Sequence, residues 1–244
     1  MYDLTMIFSV SAQSAVGAED IPAEVLADLL AGRWSCRAFR PDIVPRVTVE
    51  RLLSMAQQSP SWCNTQPWQV IVTSGTATDR LRDAFYDHVV SDGRPAFDFD
   101  APAEYRGVYR DRRRESGWQL YEALGIERGD RGASARQALE NFRFFGAPHV
   151  AIITTDAAQQ TYGAVDAGLY LATFLLAARS LGVATIAQAA IASHSDFLHD
   201  YFDIPEDRKV LVGISFGYPD LAHPANGYRT RRAAVNDVVT FVDE

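Results

Sequence analysis

Two short segments, Arg33-Trp34-Ser35-Cys36-Arg37-Ala38-Phe39 and Pro60-Ser61-Trp62-Cys63-Asn64-Thr65-Gln66-Pro67-Trp68, decide how the rest of this 244-residue chain is read. The first sets two guanidinium groups and a hydroxyl within five residues. Planar, permanently charged forks at that spacing can grip a phosphate and a second electron-rich group together. The segment follows Gly32, which reads as the C-cap of a helix over 22–31, where Val25, Leu26, Leu29 and Leu30 recur at helical spacing. The second segment is a polar loop that opens into a strand over 68–73, bounded by Ser74-Gly75.

Outward from these segments, Thr48 is placed to N-cap a helix whose Val49, Leu52, Leu53 and Ala56 form one face and which stops before Ser59-Pro60. A helix over 78–90 leads into 91–111, a stretch rich in Gly, Pro, Tyr and Arg with no clean period, which reads with the residues up to 132 as an excursion or lid. A buried strand is expected over 149–155, further strands over 184–188 and 210–216, and an amphipathic helix over 195–201. Residues 163–181 form a helix apolar nearly all round, which belongs in a core or a membrane. Asp166 and Arg179 bracket only about a dozen apolar positions, short of the roughly 20 a bilayer requires, so a core helix at a subunit interface is expected. No linker divides the chain. An N-terminal arm over 1–21, one domain over 22–232 and a C-terminal extension over 233–244 are the expected organisation.

Net charge is −8 with a pI near 5.1, which argues against nucleic acid, whose binders carry a surplus of Lys and Arg. Asp3 and the short apolar run after it do not make a secretory signal, so a soluble cytoplasmic protein, held to no membrane, is the expectation. Cys36 and Cys63 are too few for a disulfide framework and read as small buried thiols. His88, His149, His194, His199 and His223 are scattered, and the five-residue step from His194 to His199 misses the spacing of a helical ligand pair, so no metal is expected. No G-x-S-x-G elbow, H-E-x-x-H, Walker A or G-x-G-x-x-G after a strand is present. The one basic cluster, Arg106, Arg110, Arg112, Arg113 and Arg114, reads as a solvated helix face paired with Asp111 and Glu115, or as a patch attracting an anionic ligand.

The R-x-S-x-R-x-F segment, followed by P-S-x-x-N-x-Q-P-W and by Arg229-Thr230-Arg231-Arg232 near the C-terminus, resembles the FMN-dependent nitroreductase family. The resemblance implies an α+β fold, a mainly antiparallel sheet flanked by helices, in a homodimer that exchanges its C-terminal tails. Val238, Val239, Phe241 and Val242 suit the exchanged strand. It implies FMN gripped through its phosphate by Arg33, Arg229 and Arg232, with Trp34 and Ser35 beside it. Arg37 would approach the N1–C2=O edge of the ring, and Pro60, Ser61 and Asn64 would reach it from the neighbouring subunit. Gln188 and Ala189 match the family's loop beside the flavin, where a main-chain N–H, here that of Ala189, is donated to N5. Arg37 and Ala189 are thus the expected catalytic groups. Trp62, Tyr105, Tyr109 and Phe144 are candidates for the substrate wall. NAD(P)H is the implied reductant, and nitroaromatics, quinones or similar flat acceptors the implied oxidants, reduced by ping-pong hydride transfer. The same scaffold supports dehalogenation, enoate reduction and desaturation, or flavin sequestration with little turnover. Trp62 and Cys63 depart from the small or hydroxylated residues common in that loop, as Ala187 and Ala189 depart from the Pro and acidic residue common in theirs.

Overall fold

The computed structural model describes residues 21–91 and 93–243. Residues up to Gly32 and residues from Arg33 onward are separate compact units. In the first, helix α1 (Ile21–Gly32) runs through the apolar positions expected of it; of the arm expected over 1–21, residues 1–20 lie outside the described residues and Ile21 opens α1.

In the second unit, a four-stranded antiparallel sheet is built from β1 (Gln69–Ser74), β2 (His149–Asp156), β3 (Ala184–Gln188) and β4 (Arg208–Gly217), in the order β1-β2-β4-β3. β2 lies at its centre and is buried from His149 to Thr155. The strand's two-residue period sends its side chains alternately to two cores. Ala151 and Ile153 join Val212, Ile214 and Phe216 against α2 (Arg46–Ala56) and α6 (Gln160–Ser180). Val150 and Ile152 join Leu81 and Phe85 of α3 (Thr76–Ser91), Ile191 of α7 (Ala189–Ala192) and Leu198 of α8 (Ser195–Phe202). Two exposed helices, α4 (Gly107–Ala123) and α5 (Arg131–Leu139), occupy much of the expected excursion, with no buried residue in either.

Helix α2 begins at Arg46, and Pro45 rather than Thr48 is its N-cap. Proline has no N–H to leave unbonded, while its carbonyl accepts from the amides of Thr48 (2.9 Å) and Val49 (3.1 Å). By length and composition α6, with the 3-10 turn before it, could cross a membrane. It instead buries Ala167, Tyr170, Phe174 and Ala178 against the sheet and α2, leaving Tyr162, Val165 and Leu169 exposed. Its close approach to β2 depends on Gly163, where a Cβ would come within 2.7 Å of Thr155 Oγ1. Beyond β4 the described residues contain no strand. Val238, Phe241 and Val242 are exposed, and an exchanged strand is not seen in a single chain.

Candidate functional site

The Arg33–Phe39 segment runs along the open edge of the sheet. Ser35 bridges Thr185 of β3, and the Cys36 amide donates to the Thr185 carbonyl at 3.0 Å. Side chains therefore alternate: Cys36 and Ala38 turn into the core, while Arg33, Ser35 and Arg37 stay partly accessible. The distant end of the chain is stitched to this segment by Asn226, which is buried in a 3-10 turn. Its Oδ1 accepts from the Arg37 amide (2.8 Å), and its Nδ2 donates to the carbonyls of Ala38 (2.9 Å) and Asp220 (2.7 Å). The Asn226 carbonyl in turn accepts from Arg229 Nη1 at 2.9 Å.

This clamp brings the arginines together. The Arg229 guanidinium lies 4.1 Å from the centre of the Trp34 ring, and that of Arg37 lies 5.7 Å from the Tyr228 ring. Burial, and then the nearby Arg232 charge, lowers the pKa of Arg33. Among the described residues Arg33, Arg37, Arg229 and Arg232 have no carboxylate partner, whereas Arg231, between the last two, pairs with Glu115 at 2.5 Å. The Tyr228 hydroxyl beside Arg37 is buried without a hydrogen-bond partner. Four uncompensated cations with a hydroxyl among them form a cradle for an anion.

Cys36 sits behind this cradle, fully buried, its Sγ 3.1 Å from the Ala38 carbonyl. Burial pushes its thiol up to about 11, outweighing the bonds to Ala38 and Asn226 and the charges of Arg37 and Arg229. The group is a thiol at neutral pH and packs rather than reacts. Cys63, expected to be buried as well, is exposed.

A second patch lies at the end of β3. Ala189 opens α7, so its amide has no acceptor within that one-turn helix, and its side chain is exposed. Gln188, expected beside the cofactor, has its side chain turned inward instead. Its Oε1 accepts from Ser215 Oγ at 2.5 Å and its Nε2 donates to the Asn141 carbonyl at 2.9 Å, which fixes the strand end. A cleft of about 570 Å³ joins Ala189 and Ala190 to Phe97, Phe99 and Tyr105. Tyr105 therefore shares a surface with Ala189, while Tyr109 stands exposed on α4. Phe144 does not reach a substrate wall. A left-handed turn at Phe144-Phe145-Gly146 folds its ring inward, where it is fully buried and stacks 6.0 Å from Phe85.

The loop over 60–67 forms a third patch. Buried Asp166 of α6 accepts from the Trp62 amide through both carboxylate oxygens at 3.1 Å. Cys63, Asn64 and Gln66 have positive φ, and the Ser61 hydroxyl accepts from the Gln66 amide at 2.9 Å. This pins the turn with Pro60, Asn64 and Trp62 exposed, Trp62 lying edge-on to Tyr162 at 4.1 Å. No hydrogen bond among the described residues joins this loop to the arginine cradle. Of the basic cluster, Arg106 pairs with Glu104, Arg110 with Asp111, and Arg113 lies over the Tyr105 ring. Asn226 and Tyr228 are the site residues that spacing does not reveal; nothing in the local sequence distinguishes a lone Asn in a loop from a solvated one.

Comparison with known proteins identifies the scaffold. The nitroreductase family model matches residues 30–218. The nitroreductase NfnB of Mycolicibacterium smegmatis is 37% identical over 222 residues, covering 90% of this chain and 93% of its own length. A 4-nitrobenzoate reductase of Nocardioides sp. is 33% identical over 241 residues, covering 94% and 98%. The crystal structure of FMN-dependent NfnB from Mycobacterium smegmatis in complex with NADPH superposes with a TM-score of 0.86 over 91% of this chain and all of that one, at 37% identity. The chain belongs to the nitroreductase family.

Proposed function

We propose that this nitroreductase-family chain is an FMN-dependent NAD(P)H oxidoreductase that reduces nitroaromatics or similarly flat conjugated acceptors such as quinones. The observation that carries the reading is the arginine cradle: Arg33, Arg37, Arg229 and Arg232, drawn from both ends of the second unit, have no carboxylate partner among the described residues. That donor set fits FMN. A phosphate dianion satisfies Arg33, Arg229 and Arg232, the Ser35 hydroxyl suits phosphate or ribityl, and the Trp34 ring fixes the Arg229 guanidinium that would bind there. FMN, when bound, would supply the hydride chemistry that couples oxidation of NAD(P)H to reduction of the acceptor.

The chain's own groups bind, orient and stabilise. Arg37 offers a fixed positive charge to the N1–C2=O edge, where negative charge grows on reduction. The exposed Ala189 amide donates a hydrogen bond to N5, a role that needs no side chain. The largely apolar cleft beside Ala189, with Tyr105 on its wall, would hold a flat acceptor over the ring. Pro60, Ser61 and Asn64 lie on a patch that shares no hydrogen bond with the cradle among the described residues; in this reading a second copy of the chain supplies them, and two sites form per homodimer. The exposed Tyr162, Val165 and Leu169 of α6 and the apolar tail at Val238, Phe241 and Val242 support such an assembly.

The visible absorption spectrum of the purified protein, before and after anaerobic NADPH addition, tests this reading. Flavin bands that bleach with NADPH and return on adding a nitrobenzoate are the expected result. A colourless protein that cannot be reconstituted with FMN overturns it, and a monomer by light scattering overturns the shared site.

A further inference from the structure

We propose that His88, His194 and Asp196 bind one divalent cation of the zinc class, joining the end of α3 to the start of α8. One ligating atom from each of the three lies within 4.8 Å of the others. Two imidazoles and a carboxylate are a donor set suited to zinc, with solvent at the fourth position beside the exposed Asp196. Zinc–ligand distances of about 2.0–2.2 Å require the three to close inward. His88 is half-buried and Asp196 exposed, so both can move, while the His194 ring is held by burial among Phe85, Phe142 and His88.

The independent observation is the state of the imidazole nitrogens. His88 Nε2 and His194 Nδ1 are both buried with no hydrogen-bond partner among the described residues. His194 is only 3% exposed, so this is a core group left unsatisfied, which native structures avoid. The aromatic side chains packed around the two rings cannot supply the partner. Phe85 and Phe142 pack edge-on to the His194 ring at 5.8 and 5.4 Å, and Phe197 covers His88 at 4.9 Å. The two imidazoles stand at right angles, 5.3 Å apart, with no hydrogen bond between them.

The site borders the cleft at Ala189 without belonging to it. Ala192 and Ser193, just before His194, line that cleft, as do Pro95 and Phe97. Between Pro95 and Phe97, the Ala96 amide donates to the Ser193 carbonyl at 2.7 Å, and the Ala96 carbonyl accepts from the Ser195 amide at 2.9 Å and hydroxyl at 2.7 Å. A cation on His194 would rigidify this seam and so set the cleft wall, a structural role outside hydride transfer.

The test uses the full-length protein, stripped with chelator, desalted and titrated with zinc chloride, with bound zinc measured by elemental mass spectrometry and Tm measured in parallel. One zinc per chain surviving gel filtration, with a Tm that rises with zinc concentration, is the expected result. His88→Gln and Asp196→Asn, at positions that are not fully buried, should keep the Tm of the chelated native protein and lose zinc affinity at least tenfold. No zinc retained by the native protein at micromolar concentrations would overturn the proposal and leave water as the partner of the two nitrogens. Undiminished binding in both variants would overturn it as well, by placing the cation elsewhere.

Discussion

Asn226→Ala is the sharpest perturbation of the cradle that touches no charged group. The side chain is 4% exposed and makes three hydrogen bonds at 2.7–2.9 Å, to the Arg37 amide and the Ala38 and Asp220 carbonyls. At a net worth of about 1 kcal/mol each, with the buried partners left unsatisfied, the loss is about 2–4 kcal/mol of folding stability. The cradle also loses part of its preorganisation, because the Asn226 side chain ties the turn that carries Arg229 to the Arg37 amide, leaving the Asp220–Ala38 bond and the Arg229–Trp34 stack to hold the two segments. Re-ordering them on binding should cost about 1–2 kcal/mol, or roughly 5- to 30-fold in the Kd for FMN. Urea unfolding of the apoprotein and quenching of FMN fluorescence measure the two effects separately. Asn226→Asp should be no milder. It keeps an acceptor for the Arg37 amide but sets a carboxylate against two carbonyls and neutralises part of the cationic field. A variant within about 0.5 kcal/mol of native stability and within about twofold in FMN affinity would refute the clamp.

Arg37→Ala should retain FMN through the remaining arginines yet slow its reduction by NADPH in stopped flow by about 10- to 100-fold; unchanged kinetics in a flavin-loaded variant would remove Arg37 from catalysis. Gly213→Ala should cost about 1–3 kcal/mol in denaturant unfolding, because a Cβ would lie 2.5 Å from Ile191 Cδ1 and push α7, with the Ala189 amide, off β4; a neutral outcome would show that α7 floats. In a Cys63→Ser background, Ellman's reagent should find no fast thiol in the native state and one after denaturation, since Cys36 is fully buried with its pKa near 11. His149 Nε2 accepts from the Val44 amide at 2.9 Å, and burial lowers the His149 pKa against a smaller opposing bond from Thr73. The unfolded chain therefore binds this proton more readily than the folded one. The bond's contribution is present above the unfolded value of about 6.5 and is lost as pH falls through the lower folded value. The stability of the native protein minus that of His149→Gln should shrink on acidification, and a constant difference from about pH 7 to pH 5 would contradict this.

The sheet was legible because its strands obey simple patterns: β2 is built on the apolar run over 150–153 and is buried on both faces, and β1, β3 and β4 fall within two residues of their expected ends. Helices α4 and α5 were not, since neither buries a residue and so neither carries an apolar stripe to read. The arginines could be picked out by spacing, but which of them are free could not. Arg229, Arg231 and Arg232 look alike in sequence, and only the arrival of Glu115 beside Arg231 separates the paired one from the others. Phe144 illustrates the same gap from the apolar side, its exposure being decided by a left-handed turn that no residue type there demands.

The identity of residue 226 follows from the electrostatics of the cradle. Burial and then the Arg232 charge lower the Arg33 pKa, and gathering four like charges opposes folding until an anion binds. An acidic residue would keep only the bond from the Arg37 amide, would set a carboxylate against the Ala38 and Asp220 carbonyls, and would cancel the charge needed for the anion. A neutral amide with one acceptor and two donors can bond the Arg37 amide, the Ala38 carbonyl and the Asp220 carbonyl simultaneously and leave every guanidinium uncompensated. On this argument the apoprotein is strained by its own cradle. Added salt should stabilise it by screening the repulsion, and FMN should stabilise it more, with the salt effect smaller once the flavin is bound. A salt effect of equal size with and without FMN would mean that the four arginines do not act as one cationic site.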